Sequence, residues 1–245
     1  MSVRAPVRAG FRPQWLVVVT ACALGAAAMA ATSAPQLAPV ALQSGIVINI
    51  PQRTLFLMAD GRVVVRYRIG LGRPDWPTFV GAFAIVAKET DPVWHVPPSI
   101  QEELRQSGKR VLTRVPPGPS NPLGKYWLGL SVAGYGIHGT NAPSSISTFQ
   151  SHGCIRMLAS DIKDLFDRVG VGTAGVSVYE PIVVALRGEE IWMEAYPDVY
   201  DRDRRDPVGY VTIEAARLAP TRSLDMDLVA LILRERAGVA RRIDH

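Results

Sequence analysis

Residues 62–69, RVVVRYRI, constrain this chain more than any other stretch. Val63, Val65, Tyr67 and Ile69 alternate with Arg62, Val64, Arg66 and Arg68. That two-residue period sets apolar side chains on one face of a strand and arginines on the other, which a helix cannot reproduce. RTLFLM (53–58) is a second short apolar run, and Asp60-Gly61 between the two suits a tight hairpin turn. A hairpin with one arginine-rich face must lay the other on a core, so a β-rich domain is predicted.

Further short apolar runs follow the same logic: GIVINI (45–50), AFAIVAKE (82–89), YWLGLSV (126–132) and GYGIHG (134–139). The prolines of DPVWHVPPSI (91–100) argue against regular structure, and 97–123 reads as a long loop around a helix-like EELRQSG. Long loops inside compact domains commonly act as lids. After Cys154, a helix is predicted with Ser160 as its cap, Ile162, Leu165, Phe166 and Val169 on its inner face, and Gly170 as its stop. VSVYEPIVVAL (176–186) and IWMEAY (191–196) read as a closing pair of strands, DVYDRDRRDPVG (198–209) as a charged linker, and SLDMDLVALILRER (223–236) as a helix. The predicted class is mainly β, a sandwich or partly closed barrel with one helix after the cysteine and a small C-terminal helical appendage.

The start of the chain has a different character. Arg4, Arg8 and Arg12 precede WLVVVTACALGAAAMA with no acid among them, and small residues follow at Ala30 to Ala34. This is the pattern of a secretory signal over residues 1–34, followed by a linker at 35–44. Two alternatives stay open: an uncleaved membrane anchor, or a lipid on Cys22 after the VTAC box. Removing those three arginines reduces the excess of basic over acidic residues from five to two. No basic run survives to favour a nucleic acid partner. The exported part would then carry one cysteine, Cys154, which cannot staple itself. A lone thiol in an oxidising compartment is a liability unless it is buried or used.

GIHGTNAPSSISTFQSHGCIRM (136–157) suggests use. A thiol attacks as thiolate, and a neighbouring imidazole can take its proton. His138 ends a predicted strand, and Cys154 returns in a glycine-bearing turn. Gly153 permits close approach of a substrate, the Gly153 and Cys154 amides could face a developing oxyanion, and Arg156 adds positive potential. The competing readings are plain ones: Cys154 as a small buried hydrophobe, and His138 as a core histidine satisfied by a carbonyl. His138, His152 and Cys154 could also form an open zinc site, although His152 and Cys154 stand close together for that role. His95 reads as a loop residue and His245 as a disordered terminus.

HGT (138–140) followed by SHGCIRM (151–157) resembles the active-site signature of the L,D-transpeptidase catalytic domain, the YkuD type. VINIPQRTLFL, IGLGRPDWPTFVG, the W-x-V-P-P-S-I stretch and PPGPSNPLGKYWLGL agree in order, so the resemblance covers 45–181, with 182–245 left as a strand pair and helical extension. It implies that Cys154 attacks the third residue of a peptidoglycan stem tetrapeptide and expels D-alanine. His138 would be the base, oriented by the Gly139 carbonyl. The Gly153 and Cys154 amides would hold the oxyanion, with Ser151 and His152 shaping the turn and His152 a further donor. Arg156 stands where some members have asparagine. Trp94 and Tyr135 are expected in the substrate groove, under the 97–123 loop.

The resemblance implies no metal or organic cofactor, carbapenem-type β-lactams as inhibitors, and a periplasmic or cell-wall location, free or tethered to the inner membrane through the N-terminus. The acceptor is left open between a stem amine, a lipoprotein lysine, a free D-amino acid and water. Rival readings are an exported cysteine hydrolase or L,D-carboxypeptidase, and a wall-binding protein that keeps the fold without the chemistry.

Overall fold

The structure, a computed structural model, describes Met1 and residues 37–39 and 42–245. Residues 2–36 with Cys22, on which the expectations about a leader rest, lie outside the described residues. Among the described residues no helix is long and apolar enough to cross a membrane.

Strands β1 (Gly45–Asn49), β2 (Thr54–Ala59) and β3 (Arg62–Gly72) form an antiparallel meander. Asp60 and Gly61 have φ of 50° and 70°, the left-handed pair that a tight hairpin turn requires. β3 buries Tyr67, Ile69 and Leu71 and exposes Arg62, Arg66 and Arg68, as its alternation dictates. The chain continues through β4 (Gly81–Thr90), β5 (Trp94–His95), helix α1 (Pro98–Gln106), β6 (Arg114–Val115), β7 (Tyr126–Leu130) and β8 (Gly136–His138). β9 (Phe149–Ser151), β10 (Ile155–Met157), α2 (Ala159–Arg168) and β11 (Ala174–Val178) complete this part.

Eight strands close into a barrel in the order β10-β8-β7-β4-β11-β1-β2-β3, with β3 pairing back to β10 through Gly70 and Arg156. The expected sandwich or partly closed barrel is therefore a closed one. β9 hooks onto β3 in parallel. Inward side chains, among them Ile46, Ile48, Leu55, Ile85, Leu128 and Ile155, fill the interior, as the small bore of an eight-stranded barrel demands. α2 lays Ile162 and Leu165 on the same core. Ser160 does not cap this helix: its hydroxyl donates to Asp161, and the helix starts one residue earlier, directly off β10 through Leu158.

The expected single strand 176–186 is broken. Asn49 receives the Glu180 amide (3.0 Å) and donates to the Glu180 carbonyl (2.9 Å), and Pro181 has no N–H to continue the ladder. The chain leaves the barrel there and forms β12 (Ile182–Arg187) and β13 (Glu190–Ala195), an antiparallel hairpin. Helices α3 (Pro207–Leu218) and α4 (Met226–Glu235) pack on it, and β14 (Arg241–Arg242) adds a third strand. Ile182, Met193, Val211, Val229, Ile232 and Ile243 form a second core here. Asp206 and Asp225 cap the two helices by accepting first-turn amides. His245 is not loose: its amide donates to Ser223 O, and its carbonyl accepts from Arg222.

A buried carboxylate ties this second core to the barrel. The fully buried Glu194 carboxylate accepts the Leu37 amide (2.8 Å), the Gln52 amide (2.9 Å) and the Tyr196 hydroxyl (2.7 Å). Burial pushes its pKa up, against the pull of those donors. The stretch expected as a charged linker is also ordered. Asp198 accepts the amides of Arg202 and Asp203 and the Tyr179 hydroxyl, and Tyr200 lies on the barrel.

Candidate active site

β8 and β10 run side by side in parallel, with Ile137 opposite Ile155 and His138 opposite Arg156. Ile137 and Ile155 point into the barrel, so Gly136, His138 and Arg156 share its outer face. Cys154 precedes β10 by one residue and belongs to the same face by alternation. Sequence spacing thus becomes a shared face through strand register.

His138 is 4% exposed. Its Nδ1 lies 2.6 Å from the Gly139 carbonyl, which can only accept, so Nδ1 carries the proton and Nε2 keeps a lone pair. Trp127, its cross-strand partner on β7, stacks on the ring. Burial lowers the His138 pKa to about 4; the Gly139 carbonyl opposes this and the Arg156 charge adds to it. Cys154 is half-buried, with Sγ 3.6 Å from the Gly134 carbonyl. Burial pushes its thiol up, opposed by a main-chain hydrogen bond at Gly136 and by Arg156. At neutral pH the resting site therefore holds a neutral thiol and a neutral imidazole.

The turn before the cysteine is pinned from inside. Ser151, 2% exposed, donates to the Cys154 carbonyl (2.6 Å) and accepts the Gly153 amide (3.1 Å). The Gly153 amide, expected to face an oxyanion, is thus engaged by Ser151, and the Cys154 amide is the remaining donor of that expected pair. Gly153 has φ of 100°, and a side chain there would meet the Tyr135 ring at 2.8 Å. Thr78, fully buried, donates to the Gly153 carbonyl (2.8 Å).

His152 turns towards α1. Its Nε2 donates to Glu103 (2.5 Å), and its ring meets Trp76 edge-on. Glu103 also receives both terminal nitrogens of Arg73, at 3.2 and 3.3 Å. His152, expected as a donor to substrate, has its Nε2 engaged by Glu103. Among the described residues no three His, Cys, Asp or Glu side chains are grouped to hold a metal ion.

Cys154 opens onto a groove of about 430 Å³ that Trp94 and Tyr135 also line. Pro97 and Leu123, the two ends of the long loop, border it. So does His95, which is not a simple loop residue: β5 pairs with β6 at Trp94–Val115 and His95–Arg114. Thr78, Trp127, Arg73 and Glu103 escaped the sequence reading. Only Trp127 carried a usable signal, its place in a strand one hairpin before His138.

Residues 43–184 match the profile of the L,D-transpeptidase catalytic domain, YkuD. The Escherichia coli protein named "Probable L,D-transpeptidase ErfK/SrfK" is 29% identical over 215 residues, which cover 82% of this chain and 67% of that one. Its Salmonella typhimurium namesake is 30% identical over the same extent. "Probable L,D-transpeptidase YbiS" of Escherichia coli is 36% identical over 146 residues, 59% of this chain and 47% of its own length. Among solved structures, the catalytic domain of the Enterococcus faecium L,D-transpeptidase aligns with a TM-score of 0.44 at 24% identity, covering 56% of this chain and 98% of that one. The profile match spans more than half of the chain, and the chain belongs to the L,D-transpeptidase catalytic-domain family.

Proposed function

We propose that the chain cross-links or modifies peptidoglycan through a thioester on Cys154. The observation that supports this reading is the shared outer face of β8 and β10, which carries His138, with its Nε2 lone pair, and leads from a thiol that opens onto a groove. Cys154 Sγ attacks the carbonyl carbon that joins the third stem residue to D-alanine, and its proton passes to His138 Nε2. The oxyanion of the tetrahedral intermediate faces the Cys154 amide and the positive field of Arg156. The intermediate collapses, the C–N bond breaks, and the imidazolium returns the proton to the departing amine of D-alanine. An acceptor amine then attacks the thioester, loses a proton to His138 and releases the thiol.

The neutral resting pair supports a general-base route, in which the thiolate forms only as attack begins. The catalytic unit is residues 45–181, and 182–245 an extension that buttresses it. The protein works outside the cytoplasm, where its substrate is found, and a carbapenem acylates the same thiol. The acceptor is a second stem, a lipoprotein amine, a free D-amino acid or water.

Mass spectrometry of the protein incubated with a disaccharide-tetrapeptide tests this, with Cys154→Ala as control. Loss of D-alanine and an acyl adduct on Cys154, absent from the control, are expected. A dimer joined through third residues names a stem as acceptor, and tripeptide alone names water. A folded, reduced protein that forms no adduct with peptide or carbapenem overturns the proposal in favour of a wall-binding role.

A further inference from the structure

The C-terminal extension reaches the nucleophile through two hydroxyl groups. Tyr200 lies beyond the matched residues 43–184, in the segment between β13 and α3. Its ring stacks on Tyr179 and meets Phe149 edge-on, and its amide donates to the Tyr179 hydroxyl (2.7 Å). So held, its own hydroxyl donates to the Gly72 carbonyl (2.5 Å) and accepts the Thr78 amide (3.2 Å). Thr78 Oγ1 accepts the Gly72 amide (2.9 Å) and donates to the Gly153 carbonyl (2.8 Å). Gly72 and Thr78 are thus the two ends of one loop, closed on each other and on Tyr200. The closure is tight: a side chain at Gly72 would stand 2.7 Å from Thr78 N and 3.0 Å from Gly153 Cα.

The Gly153 carbonyl and the Cys154 amide belong to one planar trans peptide unit, so they point in opposite directions and turn together. A donor fixed on that oxygen therefore fixes the direction of the Cys154 N–H, and it also polarises it. We infer that Thr78, held by Tyr200 of the C-terminal extension, is the positioning residue that aims the Cys154 amide at the oxyanion. The inference rests on the reading of Cys154 as the attacking thiol. It gives the extension a part in the reaction, although none of its residues need touch the substrate.

Two reactions of the same thiol separate aiming from general damage. Acylation by a carbapenem passes through an oxyanion, whereas alkylation by iodoacetamide displaces iodide and forms none. In the full chain, Tyr200→Phe keeps the ring and removes the hydroxyl. Acylation is expected to slow by about tenfold, less than the loss of a whole oxyanion donor, with alkylation within about twofold of wild type. Thr78→Val is expected to slow acylation by about a hundredfold, and Thr78→Ser to restore most of it. Unchanged acylation in both Tyr200→Phe and Thr78→Val, with the wild type active, overturns the inference alone. So does an equal loss of acylation and alkylation, or a variant that no longer melts cooperatively while Thr78→Val acylates normally. A wild type inert to every acyl donor overturns the nucleophile assignment and this inference with it.

Discussion

Trp127 and His138 lie face to face on neighbouring strands, their ring centroids 5.7 Å apart and their planes 24° apart. The indole reaches this position by lying across Gly136, where a β-carbon would stand 2.1 Å from it. Glycine at 136 is therefore what lets the tryptophan cover the imidazole and keep it dry. Gly136→Ala is expected to displace the indole and cost about 1–3 kcal/mol of stability. Acylation of Cys154 should slow by about ten- to a hundredfold as the ring loses its seat. A melting curve and an acylation rate check this, and wild-type values for both would mean that the indole has room elsewhere.

The neutral resting pair sets a pH signature. With the thiol above its ordinary value and His138 near 4, no thiolate–imidazolium pair forms between them. The rate of alkylation by iodoacetamide should climb through the alkaline range without a plateau at neutral pH. A plateau from mildly acidic to neutral pH would show an ion pair instead. With His138 as the proposed base, the acid limb of acylation should lie near its value, since it accepts a proton only when unprotonated.

His138 also links folding to pH. Its folded pKa of about 4 lies below the ordinary value of 6.5, so below that ordinary value the unfolded chain binds the extra proton. Stability from this group is complete above the ordinary value and falls as pH drops towards 4, by up to about 3 kcal/mol. Denaturant midpoints measured across that window should fall with pH in the wild type. They should fall less steeply in His138→Gln, and equal slopes would mean that the imidazole is hydrated in the folded state.

Helix α1 buries none of its side chains, and Glu103 ties it to Arg73 and His152. The His152 hydrogen bond, followed by that of Arg73, holds the Glu103 carboxyl below its usual range. The tie is present above the ordinary carboxylate value and is lost as pH falls through the depressed one. Glu103→Gln should raise amide exchange across residues 98–106 by about two- to fivefold at neutral pH, with little change in the melting temperature. Exchange unchanged by the substitution would mean that other contacts seat the helix.

The sequence was most legible where local chemistry decides the outcome. The alternation of β3 and the Asp60-Gly61 turn needed no partner to be read, and the His138–Cys154 spacing carried its own resemblance. The break after Glu180 was signalled by Pro181, but a long apolar run outweighed it. Ser160 had the chemistry of a cap, yet the helix begins straight off β10 and leaves no place for one. Thr78 and Tyr200 gave no signal at all. They act on residues 75 and 122–128 positions away along the chain, through single hydrogen bonds that follow no period. Barrel closure brings Thr78 to Gly153, and the return of the C-terminal extension brings Tyr200 to Thr78.

β10, the strand that leads away from Cys154, is also the seam at which the barrel closes on β3. Pairings between strands so distant along the chain carry a heavy loop-closure cost and form slowly. Until that seam zips, the amide beside the thiol lacks the Thr78 hydroxyl that anchors its carbonyl. A chain that has stalled half-folded carries the cysteine without the anchored amide that the proposed reaction needs. For the reaction proposed above, the topology is a safety catch that releases only on completion.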